Sequence, residues 1–192
     1  LVAYGREAIM DPAVKCIRIG TTFDYHFHGL MTRCFDLHGF CSRYATKKFL
    51  KKVEQFEPDV IWLHNLHGYY INVELLFDWI KKHPKVKVKW TLHDCWAFTG
   101  HCVYFTIVKC NKWTSECNHC PQLREYPKTL GLDNSRRNYK RKKKAFNGVQ
   151  NLKIITPSKW LLDLLESSYL SEYTAEVIHN TINYDIFKPT PG

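Results

Sequence analysis

Two short apolar runs in this sequence each stop at side chains that can exchange hydrogen bonds and protons. These side chains are His64, Asn65 and His67 after the run at 59–63, and His93 and Asp94 after the run at 86–92. Imidazole and carboxamide groups suit a hydroxyl-rich ligand, although a single histidine at such a place can equally be a loop or packing residue. Asp94 could orient His93, bind ligand hydroxyls, or cap the turn after its strand. Two clusters of this kind favour a site.

Four cysteines fall within nineteen residues directly after the second cluster, with the spacing C-x7-C-x6-C-x2-C. They are Cys102, Cys110, Cys117 and Cys120. Four thiolates suit structural zinc, and His101 or His119 could replace one of them. Free or redox-pairable thiols and a disulfide remain alternatives. A catalytic metal is not expected, because no open three-ligand set with a carboxylate is visible. The other cysteines (Cys16, Cys34, Cys41 and Cys95) are expected to be buried thiols.

Basic residues are concentrated in one segment of the chain. The whole sequence has 28 Lys and Arg against 18 Asp and Glu, a net charge of +10. Residues 124–144 hold nine basic and two acidic residues, a local charge of +7. The patch itself is Arg136, Arg137, Lys140, Arg141, Lys142, Lys143 and Lys144. It indicates an anionic partner such as phosphate, nucleic acid or an acidic membrane surface, or else a solvated helix face.

The elements that must position these residues alternate between strand and helix patterns. Strands are predicted at 1–4, 14–19, 59–64, 86–92, 152–155 and 175–178, and helices at 42–57, 71–82, 134–146 and 157–165. The alternation predicts an α/β fold, a Rossmann-like parallel sheet flanked by helices. Ligands of such sheets bind beyond the carboxyl ends of the strands, where both histidine clusters fall. Nothing in the sequence is long and apolar enough to span a bilayer, and the first residues do not resemble a signal peptide.

Six stretches, read in order, resemble the amino-terminal domain of glycosyltransferase family 4, in the branch that builds bacterial exopolysaccharides and colanic-acid-like polymers. They are FDLHGFCSRYAT (35–46), PDVIWLHNLHGYYIN (58–72), KWTLHDCWAFTGHC (89–102), CNHCPQ (117–122), ITPSKWL (155–161) and VIHNTINYDIFKP (177–189). The resemblance implies one half of a two-domain GT-B enzyme. Such an enzyme transfers a sugar from a nucleotide-sugar donor to a glycan or polyprenyl-diphosphate-linked acceptor, with retention.

The resemblance also implies roles for the candidate residues. His93 would contact the reacting sugar with Asp94 beside it, and His64, Asn65 and His67 would bind the acceptor. Trp96, with Tyr69, Tyr70 and Phe98, could stack on sugar faces or pack in the core. The basic patch would lie against the anionic inner face of the plasma membrane, so a cytoplasmic, peripheral enzyme is expected.

The same resemblance divides the chain. Residues 1–180 would form the acceptor-side domain, without its first strand and with a cysteine-rich insertion at about 95–122. Residues 181–192 would begin the interdomain linker, and the second, nucleotide-binding domain would be absent, so the chain alone should be inactive. Two other readings remain: a basic, cysteine-knuckle nucleic-acid-binding module, and a non-catalytic sugar-binding scaffold domain. The first is disfavoured because neutral histidines, not arginines, fill the strand-end clusters.

Overall fold

A computed structural model describes residues 1–6, 12–183 and 186–188 of the chain. The predicted linker positions 184, 185 and 189–192 lie outside the described residues. The strands are β1 (Val2–Tyr4), β2 (Cys16–Arg18), β3 (Val60–Leu63), β4 (Lys87–Thr91), β5 (Leu152–Thr156) and β6 (Ala175–Val177). The α-helices are α1 (Thr22–Phe35), α2 (Arg43–Phe56), α3 (Val73–Lys82), α4 (Ser135–Phe146) and α5 (Lys159–Glu166).

The described strands form two parallel sheets, one in the order β1-β2 and one in the order β3-β4-β5-β6. Helices connect the strands of the larger sheet, as parallel pairing requires. The predicted α/β, Rossmann-like fold is therefore confirmed. Leu63 of β3 pairs with Trp90 of β4, so the two strands reach the same edge of the sheet at nearly the same level.

An aromatic cluster fixes α3 and α4 against the middle of the larger sheet. The Trp90 ring of β4 lies 5.2 Å from Phe77 of α3 and 5.0 Å from Phe146 of α4, and the two phenylalanine rings are 4.6 Å apart. All three side chains are at most 2% exposed. Apolar burial of this kind is the main stabilising term of the fold, and here it holds β4, with its strand-end residues, in place.

Local signals define the helix starts. The Asn72 side chain accepts a hydrogen bond from the Leu75 amide at the start of α3, and the Ser158 hydroxyl does the same for Leu161 at the start of α5. The sequence analysis missed α1, although Thr21 and Asp24 form a complete capping box there. The apolar residues of α1 face solvent, so their spacing did not predict a helix with a core-facing apolar stripe.

An apolar groove of about 560 Å³ separates the two sheets. Within the described residues, β1 pairs only with β2 and β3 only with β4. Leu1, Val2 and Ala3 line one wall of the groove, and Val60, Ile61, Trp62 and Leu63 line the other. Val2 is 46% exposed and Val60 is 49% exposed, so one strand edge of each sheet, with apolar side chains, stands open beside this groove.

In the part of the chain that the structure describes, no helix has the length and apolar character needed to cross a membrane.

Candidate functional site

The ends of β3 and β4 bring the two predicted clusters into contact. His64 Nδ1 lies 3.2 Å from His93 Nε2, and the two imidazole rings are stacked with centroids 5.5 Å apart. Asn65 occupies the turn after β3 with φ of +31°, a conformation that asparagine tolerates better than most residues. Parallel pairing of neighbouring strands is what joins residues that are 29 positions apart in the sequence.

A second pair lies beside the first and contains the carboxylate. His67 Nε2 is 2.7 Å from Asp94 Oδ2, and the other oxygen, Oδ1, accepts a hydrogen bond of 2.8 Å from the Trp96 amide. Asp94 therefore caps the turn after β4 and also orients a histidine. The histidine is His67, not His93 as the sequence analysis considered. His93 and Asp94 both lie in the bend after β4, and there the Asp94 carboxylate contacts His67.

Electrostatics separate the two pairs. The pKa of His64 is lowered, first by burial and then by the neighbouring His93 ring, so His64 stays neutral near pH 7. His67 instead has an ionisable carboxylate as its partner, and both side chains of that pair are about 15% exposed. An ionised carboxylate only accepts hydrogen bonds, so the proton between them is on His67 Nε2. In the neutral ring, Nδ1 then carries the lone pair.

Three exposed aromatic rings surround these pairs. Trp62 stacks on His64 at 5.6 Å, and the Tyr104 hydroxyl donates a hydrogen bond of 3.2 Å to the His93 carbonyl. The Tyr126 hydroxyl lies 3.4 Å from His67 Nδ1. All three rings are between 46% and 57% exposed, so they offer flat apolar faces next to hydrogen-bonding groups. Sugar rings suit such a surface because their C–H faces pack on aromatics while their hydroxyls bond to polar groups.

Sequence reasoning missed Tyr104 and Tyr126 and named Trp62 only as part of a motif. The two tyrosines belong to the segment that carries the cysteines, far along the chain from His67, and no local pattern links them to the strand ends. It also missed His38, which is 2% exposed and packs beneath the site, 5.6 Å from the His67 ring. Neither ring nitrogen of His38 has a hydrogen bond of good geometry in the described structure, and burial holds its pKa well below the ordinary value.

Trp96 packs in the core, which is the alternative to sugar stacking that the sequence analysis left open. Its side chain is 2% exposed, and its ring packs against the backbone of Gly39, where a Cβ atom would lie 2.7 Å from the indole. Phe98 is fully buried as well. The Trp96 ring lies 5.5 Å from His67 and supports the site from within the core.

Lys142 corrects the predicted basic patch. This side chain is 1% exposed, its Nζ donates a hydrogen bond of 2.6 Å to the Trp96 carbonyl, and it lies 3.9 Å from the centre of the Trp96 ring. Burial lowers the pKa of Lys142 to about 7. A residue predicted to face an anionic surface therefore supports the turn that holds Asp94, because the inner side of α4 packs against that turn.

Apart from the partly buried Arg141, the rest of the patch is exposed, but much of its charge is paired. Arg141 makes two hydrogen bonds of 2.7 and 2.8 Å to the Glu74 carboxylate and stacks on Phe40 at 3.8 Å. Arg136 and Lys140 both contact Glu116. Arg137, Lys143 and Lys144 are exposed on the outer face of α4. The basic run in the sequence is therefore not a uniform basic surface, because carboxylates from other segments pair with several of its cations.

The cysteine-rich segment folds around a small enclosed space lined by Cys102, Cys110, Cys117, Cys120 and His101. Across the described residues, however, no group of three or more His, Cys, Asp or Glu side chains is arranged to hold a metal ion. The predicted zinc site is therefore unsupported. All eight cysteines are free thiols, and Cys34, expected to be buried, is exposed. A hydrogen bond from the Cys102 thiol is the main cause that lowers the pKa of Cys120 to about 7.

Ordinary contacts order this segment. The Trp113 side chain is 5% exposed, and the Lys112 ammonium donates to the carbonyls of Asn118 and His119 at 3.0 and 2.9 Å. A buried pair, His101 Nδ1 and Asp36 Oδ1 at 2.6 Å, fastens the start of the segment to the end of α1. These interactions position Tyr104 and Tyr126 beside the histidine pairs.

Comparison with known proteins gives one distant similarity. The chain is 32% identical over 118 residues to a protein of Escherichia coli (strain K12) that carries the provisional name colanic acid biosynthesis glycosyl transferase WcaC. The matched part covers 58% of this chain and 28% of that relative. No family model matches the chain, and no solved structure does. The chain is thus a distant homologue of a protein named as a glycosyl transferase, and it matches less than a third of that protein's length.

Proposed function

We propose that this chain is the acceptor-side half of a retaining glycosyltransferase that acts in bacterial exopolysaccharide assembly. The donor would be a nucleotide-sugar, and the acceptor a glycan or a polyprenyl-diphosphate-linked sugar. The observation that carries the proposal is the meeting of His64–His93 and His67–Asp94 at the carboxyl edge of β3 and β4, beside exposed aromatic rings. The distant similarity to a protein named as a glycosyl transferase supports the same class of reaction.

The two pairs suit different tasks. His93 would hydrogen-bond a hydroxyl of the transferred sugar, a contact that accelerates the reaction if it strengthens as charge develops in the transition state. His67 would receive an acceptor hydroxyl at Nδ1, because Asp94 fixes the proton on Nε2. The border of the sugar-binding surface would be formed by the rings of Trp62, Tyr104 and Tyr126. We assign no catalytic metal and no protein nucleophile.

The apolar groove between the sheets is the proposed position of a further strand of this domain. A parallel strand lying there would pair with the open edges of β1 and β3 and join the two sheets into one. This is the place that the family's first strand would take. In a protein that supplies the strand, the amides of Val60–Leu63 should exchange hydrogen slowly. In the chain of residues 1–192 the groove-facing amides should exchange fast, and equal rates in both proteins would contradict the proposal.

The nucleotide of the donor would be held by a second domain beyond the linker that begins at 181–192, so this chain alone should not turn over. We do not propose a nucleic-acid-binding function. Arg136 and Lys140 share Glu116, Arg141 is paired with Glu74, and the strand-end site offers imidazoles in place of arginines. We place the enzyme in the cytoplasm, at the inner face of the membrane.

The test is sugar transfer by the full-length protein from a panel of nucleotide-sugars to acceptors in a lipid extract. The release of nucleoside diphosphate is the measured signal. We expect turnover with one donor class and a large loss in His93→Ala. The exposed His26 on α1 provides the matched control, His26→Ala, which should retain activity. A full-length protein that binds sugars but releases no nucleotide with any donor would favour a scaffold domain instead.

A further inference from the structure

The outer face of α1 is apolar, which is unusual for the solvent side of a helix. Phe23 is 76% exposed, Phe27 47% and Leu30 57%. Residues four and seven positions apart share one helical face, so these three side chains form a single line. The rings of Phe23 and Phe27 stack at 6.2 Å. His28 and Thr32 are buried on the opposite face, so the apolar line points away from the body of the protein.

A neighbouring segment extends this surface with two further exposed side chains. The Leu130 amide donates to the Arg33 carbonyl at 2.8 Å, and the Leu132 amide donates to the Cys34 carbonyl at 3.3 Å. Leu130 and Leu132 are both 57% exposed. Between them Gly131 lies so close to α1 that a Cβ atom would be 2.0 Å from the Cys34 carbonyl oxygen. The close approach shows that this segment is docked on the helix.

Cations border this apolar surface. Arg33 lies on α1 beside it, and Lys128 precedes Leu130; both are exposed. The segment then leads directly into α4, where Asn134 donates a hydrogen bond of 2.8 Å to the Phe35 carbonyl at the end of α1. The exposed cations of α4 therefore begin where α1 ends.

We propose that Phe23, Phe27, Leu30, Leu130 and Leu132, named here the α1 ridge, insert into the interface of an anionic lipid bilayer. Phenylalanine and leucine rising from a surface bordered by Lys and Arg are the combination that binds such interfaces, where apolar burial and attraction to acidic headgroups add together. Arg33 and Lys128, the cations next to the ridge, contact the headgroups.

Charge argues for this partner over a second copy of the chain. Each copy carries a net charge of +10, and two ridges in contact would bring their bordering cations together. An anionic bilayer supplies the opposite charge and a deformable apolar phase for a line of separate, protruding side chains. The inference concerns the surface alone and stands whether or not the site transfers sugars.

The test is co-sedimentation of the 1–192 chain with vesicles of phosphatidylcholine alone or mixed with one quarter phosphatidylglycerol. We expect binding to the mixed vesicles that weakens as salt rises. The variant Phe23→Ser/Phe27→Ser/Leu30→Gln should lose at least about tenfold in partitioning, because most of the inserted apolar surface is removed.

Matched controls lie elsewhere on the surface. Tyr44 is 78% exposed on α2 and Ile107 is 92% exposed, so the variant Tyr44→Ser/Ile107→Ser removes exposed apolar groups away from the ridge and should bind like the parent. Unchanged circular dichroism melting shows that each variant is folded. Equal vesicle binding by the ridge variant and the parent, or no binding of the parent to anionic vesicles, would overturn the proposal. So would a parent dimer that the ridge variant converts to a monomer.

Discussion

The two pairs at the strand ends lie side by side and differ in the groups that support them. His64 and His93 contact each other and solvent, and neither has a carboxylate partner among the described contacts. His67 and Asp94 are held by the Trp96 amide, and Lys142 in turn holds the Trp96 carbonyl. The first pair therefore forms a surface for ligand hydroxyls, whereas the second is connected to the core through α4.

The largest expected effect falls on the exposed pair and is kinetic. His93→Ala in the full-length enzyme should lower kcat about 100-fold, since removing one hydrogen-bonding group that stabilises developing charge in the transition state costs roughly that factor or more. Its free energy of unfolding should change by less than about 0.5 kcal/mol, because no buried contact depends on the ring. Steady-state kinetics and urea unfolding measure the two quantities, and near-normal turnover would remove His93 from the site.

The next effect distinguishes the pairs by stability. Asp94→Ala should lower the free energy of unfolding by about 2–3 kcal/mol, because the Trp96 amide and His67 both lose an ionised acceptor. His64→Ala is the matched change in the exposed pair and should cost less than about 0.5 kcal/mol. Urea denaturation of both variants at pH 7.5 compares them. Equal losses would mean that the two pairs are anchored alike.

Lys142 gives the third prediction, a dependence of stability on pH. Burial lowers its folded pKa to about 7 from 10.5, so between these values the unfolded chain binds more protons and stability rises with pH. The buried ammonium costs most below pH 7, and that cost disappears towards pH 10.5. Lys142→Met should therefore flatten the curve, by up to about 1.4 kcal/mol per pH unit in this window.

Urea midpoints at pH 6.5, 7.5 and 8.5 for the parent and for Lys142→Met test this. The nearby groups that favour the charged lysine are Cys117, Cys102, Asp36 and Asp94. Lys142 in turn lowers the pKa of Asp36, Cys102 and Cys117, so the difference between the curves reports the lysine together with its effect on these neighbours. Parallel curves would show that Lys142 stays protonated in its buried position.

The smallest effect concerns the interaction within the exposed pair. His93 is one cause of the lowered pKa of His64, after burial, so His93→Ala should raise the His64 pKa towards its ordinary value. Because the folded pKa is the lower one, the small stability that His64 contributes is lost as pH falls through the unfolded value. NMR titration of the imidazole signals measures the shift. An unchanged His64 pKa would mean that burial alone lowers it.

Much of the fold could be predicted from local patterns. The predicted strand at 59–64 is β3 (Val60–Leu63), and the predicted helix at 134–146 is α4 (Ser135–Phe146). Both have strong signals: an apolar run of strand length and a basic, amphipathic repeat. α1 was not predicted, because its exposed side chains are apolar, which is the reverse of the usual pattern. Its capping box was the only local signal for the helix.

The site was predicted in part for a similar reason. Histidines directly after two apolar runs could be placed at one sheet edge, since parallel strands end together. The partner of Asp94, the burial of Trp96 and the aromatic border could not be foreseen. They depend on how the 92–134 segment folds back over the strand ends, and its cysteine spacing predicted a metal geometry that the described residues do not form.

The sequence by itself determined the α/β alternation, the two polar strand ends and the overall positive charge, because periodicity, strand termini and composition are local properties. Only the tertiary structure decided which charges are used and where. Lys142 became a buried support, Arg141 became a partner of Glu74, and the apolar residues of α1 were left facing outward. Each of these outcomes depends on which segments pack together in three dimensions, and contacts between distant segments are not recorded in any local pattern.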